Sequence, residues 1–164
     1  MGMMRTITLS LPMTFTASLC GILLSLPLTV NATYVLDETS RRLAYCGDVF
    51  AYAANWFLIQ NNEGAAKVML SQQARATVTL FTMHYESGKV SGERVAAFRN
   101  EGRRAKPFLD ANPSKLTETV DACVATTNKF AAIQSRRKIK MWGKDFYEIV
   151  EEMAMKSRVA LGIR

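Results

Sequence analysis

The sequence predicts an all-α domain: a compact bundle of about five helices behind an N-terminal signal peptide, stapled by one disulfide. Three observations carry that expectation. Apolar residues recur at alternating three- and four-residue spacings in successive segments, and none alternates convincingly with period two. A charge-free, mostly apolar stretch runs from Ile7 to Val30. Of three cysteines, one lies in that stretch and two remain beyond it. Apolar residues make up 49% of the 164 and charged residues 21%, enough of each for a globular chain with its own core.

Residues 1–32 read as the signal peptide. Arg5 gives a weakly positive start, Pro27 ends the apolar helix, and Val30-Asn31-Ala32 offers small side chains where a signal peptidase inspects them. Cleavage after Ala32 leaves one helical domain, 33–164, and places the protein in the periplasm. The alternative is an uncleaved inner-membrane anchor over residues 7–30, a stretch about long enough to span a bilayer but interrupted by Pro12, Gly21 and Pro27. Lipidation at Cys20 is disfavoured by the bulky Leu19 before it. Removing Arg5 with the leader lowers the net charge from +7 to +6.

The first helix is expected from Asp37 to Gln60. Leu43, Cys46, Phe50, Ala53 and Phe57 form one stripe, and Tyr45, Val49, Tyr52, Trp56 and Ile59 a second. A helix apolar on two faces belongs at the centre of a core. Asn61-Asn62-Glu63-Gly64 is the first turn, followed by a helix over residues 65–86 with Gly88 as its left-handed cap. Ser91 caps a third helix through Val95, Phe98, Gly102, Ala105 and Leu109, which Pro107 should kink or end. Asn112-Pro113 starts the fourth, with Leu116, Val120, Cys123, Thr127 and Phe130 in register to about Arg137. The last covers Lys144 to Leu161.

Cys46 and Cys123 both fall inside apolar stripes, on the first and fourth helices, and an even pair in an exported chain is best read as a disulfide. In size, class and compartment the chain resembles small exported helical proteins with one disulfide, among them toxin-immunity proteins of the bacterial periplasm. That likeness implies fold and location and transfers no residue.

No catalytic motif stands out. His84 is the one imidazole, without a recognisable serine or cysteine motif beside it, and a single histidine excludes a multi-histidine zinc centre built by this chain alone. Gly88-Lys89-Val90-Ser91-Gly92 lacks the order of a phosphate-binding loop. Asp145, Glu148, Glu151 and Glu152 suit a solvated helix face, with Glu148–Lys144 and Glu152–Lys156 pairs across a turn. No metal or cofactor is expected.

The basic residues point further. Arg136, Arg137, Lys138 and Lys140 form a run with Trp142 beside it, and Arg99, Arg103, Arg104 and Lys106 form a second group. Such faces suit a protein partner or an anionic membrane or envelope surface. Nucleic acid is not expected for an exported chain. The competing expectation is a solvated helix end with Trp142 tucked into the core. The functional reading is a non-catalytic, exported binding protein, and the alternative is a small periplasmic hydrolase using His84 with Glu86 or Asp121. Cleavage predicts Thr33 as the first residue of protein recovered from the envelope; an intact mass that still includes residues 1–32 would favour the anchor.

Overall fold

The structure, a computed structural model, describes residues 34–85, 90–137 and 140–163. The expected leader and its cleavage site lie outside the described residues. Helix α1 spans Glu38–Ile59, and Asp37 caps it by accepting the Ser40 N–H at 2.8 Å. Helix α2, Glu63–Met83, is capped by the Asn62 side chain, which accepts from the Ala65 N–H. Asn61 takes the left-handed conformation between the two, at φ 56°.

The second helix starts two residues earlier and ends three earlier than its periodicity suggests. His84 closes it with an N–H bond to the Phe81 carbonyl, three residues back, a tightening typical of a last turn. Gly88, the expected cap, lies outside the described residues.

The expected third helix is two: α3, Gly92–Gly102, and α4, Ala105–Ala111. Ser91 caps α3 as anticipated. The break falls at Arg103–Arg104, four residues before Pro107, because a proline ring collides with the carbonyl four residues back. Pro107 itself then sits in the first turn of α4, where an amide hydrogen has no intrahelical partner to lose.

Asn112-Pro113 opens a 3₁₀ turn, Pro113–Lys115, that leads into α5, Leu116–Ser135. The Asn112 side chain does not cap; its amide donates back to the Phe108 carbonyl at 2.9 Å. Helix α6, Phe146–Ala160, begins with a capping box in which Asp145 and Glu148 exchange backbone–side-chain bonds. Among the described residues there is no strand, only an isolated antiparallel bridge between Met141 and Lys144.

Helix α1 packs against α2, α3, α4 and α5, and α6 packs chiefly on α2. Three apolar clusters hold these contacts. Cys46, Phe50, Ala53, Leu70, Leu109 and Cys123 join α1 to α2, α4 and α5. Val78, Met141, Phe146, Ile149 and Val150 join α2 to α6. Leu36, Leu43, Leu80 and Phe98 join α1 to α2 and α3. Among the described residues the buried members of these clusters run from Leu36 to Ile163. Phe50 is fully enclosed, and burying a side chain of that size is worth about 1.5–3 kcal/mol.

The second stripe of α1 is buried only in part. Val49 is enclosed, but Trp56 and Ile59 are exposed near the α1–α2 turn, Ile59 at 76%. On α6, Leu161 faces solvent, and Ile163 beyond the helix packs inward instead.

The Cys46–Cys123 disulfide is formed, with Cα atoms 5.2 Å apart, and fastens α1 to α5 across 77 positions of sequence. The chain-entropy relation for a loop of that length gives about 4–5 kcal/mol. Native protein should therefore gain two hydrogens in mass on reduction, and tryptic digestion should yield one linked peptide pair. Replacing either cysteine by alanine should lower unfolding free energy by a few kcal/mol in a urea titration. Full alkylation of both thiols in native, unreduced protein would contradict the bridge.

Candidate functional site

The basic run after α5 is organised around a turn. Arg136 ends the helix; the Arg137 N–H and guanidinium both bond Gln134, through its carbonyl and its side-chain oxygen, each at 3.0 Å. Lys138 lies outside the described residues. Met141 and Lys144 then exchange backbone hydrogen bonds of 3.1 and 3.0 Å around Trp142 and Gly143, whose φ angles are 54° and 78°.

Two central residues with positive φ make this a type I′ turn. Glycine adopts that geometry freely, whereas a left-handed conformation costs a side chain such as tryptophan about 1–2 kcal/mol. Neighbours on both sides fix the turn. Met141 points inward, fully buried among α2 and α6 side chains, with the Thr82 hydroxyl on its sulfur at 3.8 Å. The α6 capping box follows directly, with Asp145 N–H donating to Glu148 at 2.7 Å and Glu148 N–H donating to Asp145 at 3.0 Å.

The outcome is opposite to a tryptophan tucked into the core. Met141 takes the inward position, and Trp142 stands at the tip, 62% exposed, with the Tyr85 ring edge-on at 6.4 Å. Arg136, Arg137 and Lys140, two to six positions before it in sequence, are exposed, and none has a carboxylate partner among the described residues.

Lys144 does not pair with Glu148, whose carboxylate is committed to the Asp145 N–H. It bonds Glu152 instead, as does Lys156, at 2.6 Å for the latter. Those two ammonium groups, Lys144 first, hold the Glu152 carboxyl down at about 2.

The second basic group is differently placed. Arg99 is half-buried on α3, while Arg103 and Arg104 are exposed at the α3–α4 break. Arg104 pairs with Glu101 at 2.7 Å. It lines a shallow depression of about 180 Å³ with Arg41, Arg42, Tyr45, Glu38 and Glu101. Arg41 and Arg42 are additions the sequence reading missed, because they are some sixty positions away; their spacing from Glu38 was the available signal. Both pair with that glutamate, at 3.7 and 2.8 Å, and the Arg42 hydrogen bond chiefly lowers its pKa. Beside this group Asp48 lies over Gly102, where a Cβ would come within 2.9 Å of its carboxyl carbon. Burial there raises the Asp48 pKa, and Arg103 partly offsets it.

The Trp142 turn lies against the last turn of α2, and the Arg104 group against Tyr45 in the first half of α1. The structure does not bring the two into one face.

His84 lies at the end of α2, not within it. Its Nε2 is 2.7 Å from the Ser40 hydroxyl, which donates to Asp37 at 2.7 Å. Because that hydroxyl hydrogen is directed at the carboxylate, His84 donates Nε2–H to the serine oxygen. Burial tends to raise the Asp37 pKa, but bonds from the Ser40 N–H and hydroxyl outweigh it, with His84 and the Thr39 N–H adding to them.

Serine, histidine and aspartate thus meet, but in the order Asp–Ser–His, and Ser40 is fully buried. Nucleophilic catalysis needs the histidine between the other two, accepting the serine proton. The cluster instead ties the start of α1 to the end of α2. Glu86 lies outside the described residues, and Asp121 is exposed on α5, two positions from the disulfide. Among the described residues no three His, Cys, Asp or Glu side chains form a group that could hold a metal.

No family model matches the chain, and no curated protein or solved structure is significantly similar to it.

An exposed turn tip predicts that Trp142→Asn changes unfolding free energy by no more than about 1 kcal/mol, since asparagine tolerates the left-handed conformation. A buried tryptophan would cost about 3–5 kcal/mol on truncation. Urea denaturation of the variant separates the two, and a loss of 3 kcal/mol or more would return the indole to the core.

Proposed function

We propose that this chain is an exported, periplasmic, non-catalytic interaction protein that engages a protein partner or an anionic envelope surface through its basic faces. Arg136, Arg137, Lys138, Lys140 and Trp142 form the principal contact, and Arg99, Arg103 and Arg104 a secondary one. One observation carries the reading: an exposed tryptophan held at positive φ, with cations beside it that have no carboxylate partner among the described residues. Backbone strain kept at an exposed aromatic is the kind of feature that clusters at binding and catalytic sites.

The disulfide fits an oxidising compartment. Among the described residues no helix is long and apolar enough to cross a membrane. The Asp–Ser–His order and the burial of Ser40 argue against a hydrolase built on His84.

The expected behaviour is salt-sensitive co-sedimentation of purified 33–164 with envelope fragments. Arg136→Glu with Lys140→Glu should weaken it at least tenfold at low ionic strength while circular dichroism and melting stay unchanged, since exposed charges are screened over about 8 Å at physiological salt. Undiminished sedimentation by the folded double variant would remove this face from the interaction.

A further inference from the structure

We infer that the end of the bundle bearing the Trp142 turn seats on an anionic phospholipid surface, with the indole in the headgroup layer and Arg136, Arg137 and Lys140 over the lipid phosphates. The inference rests on the interaction reading above and names its partner.

Three observations converge on one end of the molecule. The first is the composition of the turn: an exposed aromatic at its tip, a few positions after exposed cations. Tryptophan has an apolar body and one N–H, which suits a boundary that is wet on one side and apolar on the other. Tyr147, 58% exposed on the first turn of α6, adds a second such ring.

The second is charge. Of the carboxylates near this end, Glu38 is paired with Arg41 and Arg42 and Glu152 with Lys144 and Lys156, while Asp37, Asp145 and Glu148 accept hydrogen bonds at helix starts and remain charged. Glu93, in the first turn of α3, faces solvent. Glu93 and the capping carboxylates keep their charge, but among the described residues none of them pairs with Arg136, Arg137 or Lys140, whose exposed cationic groups stay open to a lipid phosphate. Near an anionic membrane each such charge contributes about a fivefold gain in affinity.

The third is where the chain enters the fold. His84 and Tyr85 are consecutive: His84 bonds Ser40 in the first turn of α1, and Tyr85 lies edge-on to Trp142. Arg94 donates to the His84 carbonyl and covers the Tyr34 ring at 5.1 Å. The entry point of the described chain at Tyr34–Asp37 and the Trp142 turn thus share the last turn of α2. Val35, at that entry, is 84% exposed. The charge-free stretch 7–30 precedes this end in sequence by only a few residues. Under the signal-peptide reading that stretch enters a bilayer before cleavage, and it then holds there the same end that carries the aromatic and the cations. A protein partner explains the charge but not this coincidence with the chain entry.

The test uses 33–164, the exported form under the proposed function, in a Trp56→Phe background that leaves Trp142 as the sole tryptophan. The probe is vesicles of phosphatidylethanolamine with 30% phosphatidylglycerol, compared with pure phosphatidylcholine. Binding to the anionic vesicles should shift Trp142 emission to the blue and expose it to quenching by brominated acyl chains. Arg136→Gln with Lys140→Gln should weaken binding about 30-fold, and Trp142→Asn several-fold.

Equal binding to both vesicle types, or binding in which brominated lipid does not quench Trp142, overturns the inference. Envelope binding that persists without vesicle binding, and is abolished by protease treatment of the envelope, overturns the lipid assignment and leaves the interaction reading intact with a protein partner. Self-association of 33–164 that buries Trp142 in the absence of vesicles assigns the face to a second copy. Binding to neither envelope nor vesicles removes both.

Discussion

Cys46 occupies the middle of a face of α1 that also presents Leu43, Phe50 and Ala53, all buried, and its sulfur meets Cys123 on α5. That contact fixes which side of α5 can turn inward, since Leu116, Cys123 and Thr127 must then share one stripe. It also sets α1 as the element to which the others refer: α2, α3, α4 and α5 all lie against it. Without the bridge, α5 would hold its place through side chains of modest size, and the loop it closes is long enough for the entropic gain to matter. Helix α6 is the exception. It packs chiefly on α2, through a separate cluster centred on Val78, Met141, Phe146 and Ile149. The Trp142 turn belongs to that cluster, so the surface proposed to bind rests on the part of the bundle least directly governed by the disulfide.

The helices and their buried faces were legible because burial imposes a period near 3.6 on the sequence, and capping imposes particular residues at the ends. Asp37, Ser91 and the Leu43–Cys46–Phe50 stripe are read correctly for that reason, and the cysteine pairing follows from the stripes. Errors arose where a distant contact overrides a local signal. The end of α2 is set by His84 turning to Ser40, forty-four positions away, which no local pattern announces. Pro107 gave a true signal about the third helix, but its steric effect acts four residues upstream, at Arg103. Trp56 and Ile59 continue an apolar stripe into a region where no helix among the described residues covers them.

The candidate site was half legible. Basic residues and a tryptophan can be counted in the sequence, but whether a charge is available depends on its partners. Arg104, Arg41 and Arg42 look as cationic as Arg136 and Lys140, yet each of the first three meets a carboxylate within 4 Å. The distinction is one of helix spacing: Glu101 stands three positions before Arg104 and Glu38 three and four before Arg41 and Arg42, whereas no carboxylate stands three or four positions from Arg136, Arg137 or Lys140. Exposed pairs of this kind are worth little to stability. Their consequence is to lower the field at one face and concentrate what remains at the other.

The geometry of Trp142 bears most directly on that remaining face. A type I′ turn is made at least cost by Asn-Gly, and Gly143 already supplies the second of those residues. Tryptophan at the first position sacrifices about 1–2 kcal/mol of folding free energy. The exposed indole recovers part of this against Tyr85, since an edge-on aromatic pair contributes about 0.5–1.5 kcal/mol. The same pairing, with Met141 locked beneath, restricts the ring before any ligand arrives. An aromatic ordered in advance loses less conformational entropy on binding than a mobile one, which lowers the cost of association. Strain in the free protein and readiness to bind are then two consequences of one backbone conformation, and a tryptophan there makes physical sense as a contact residue.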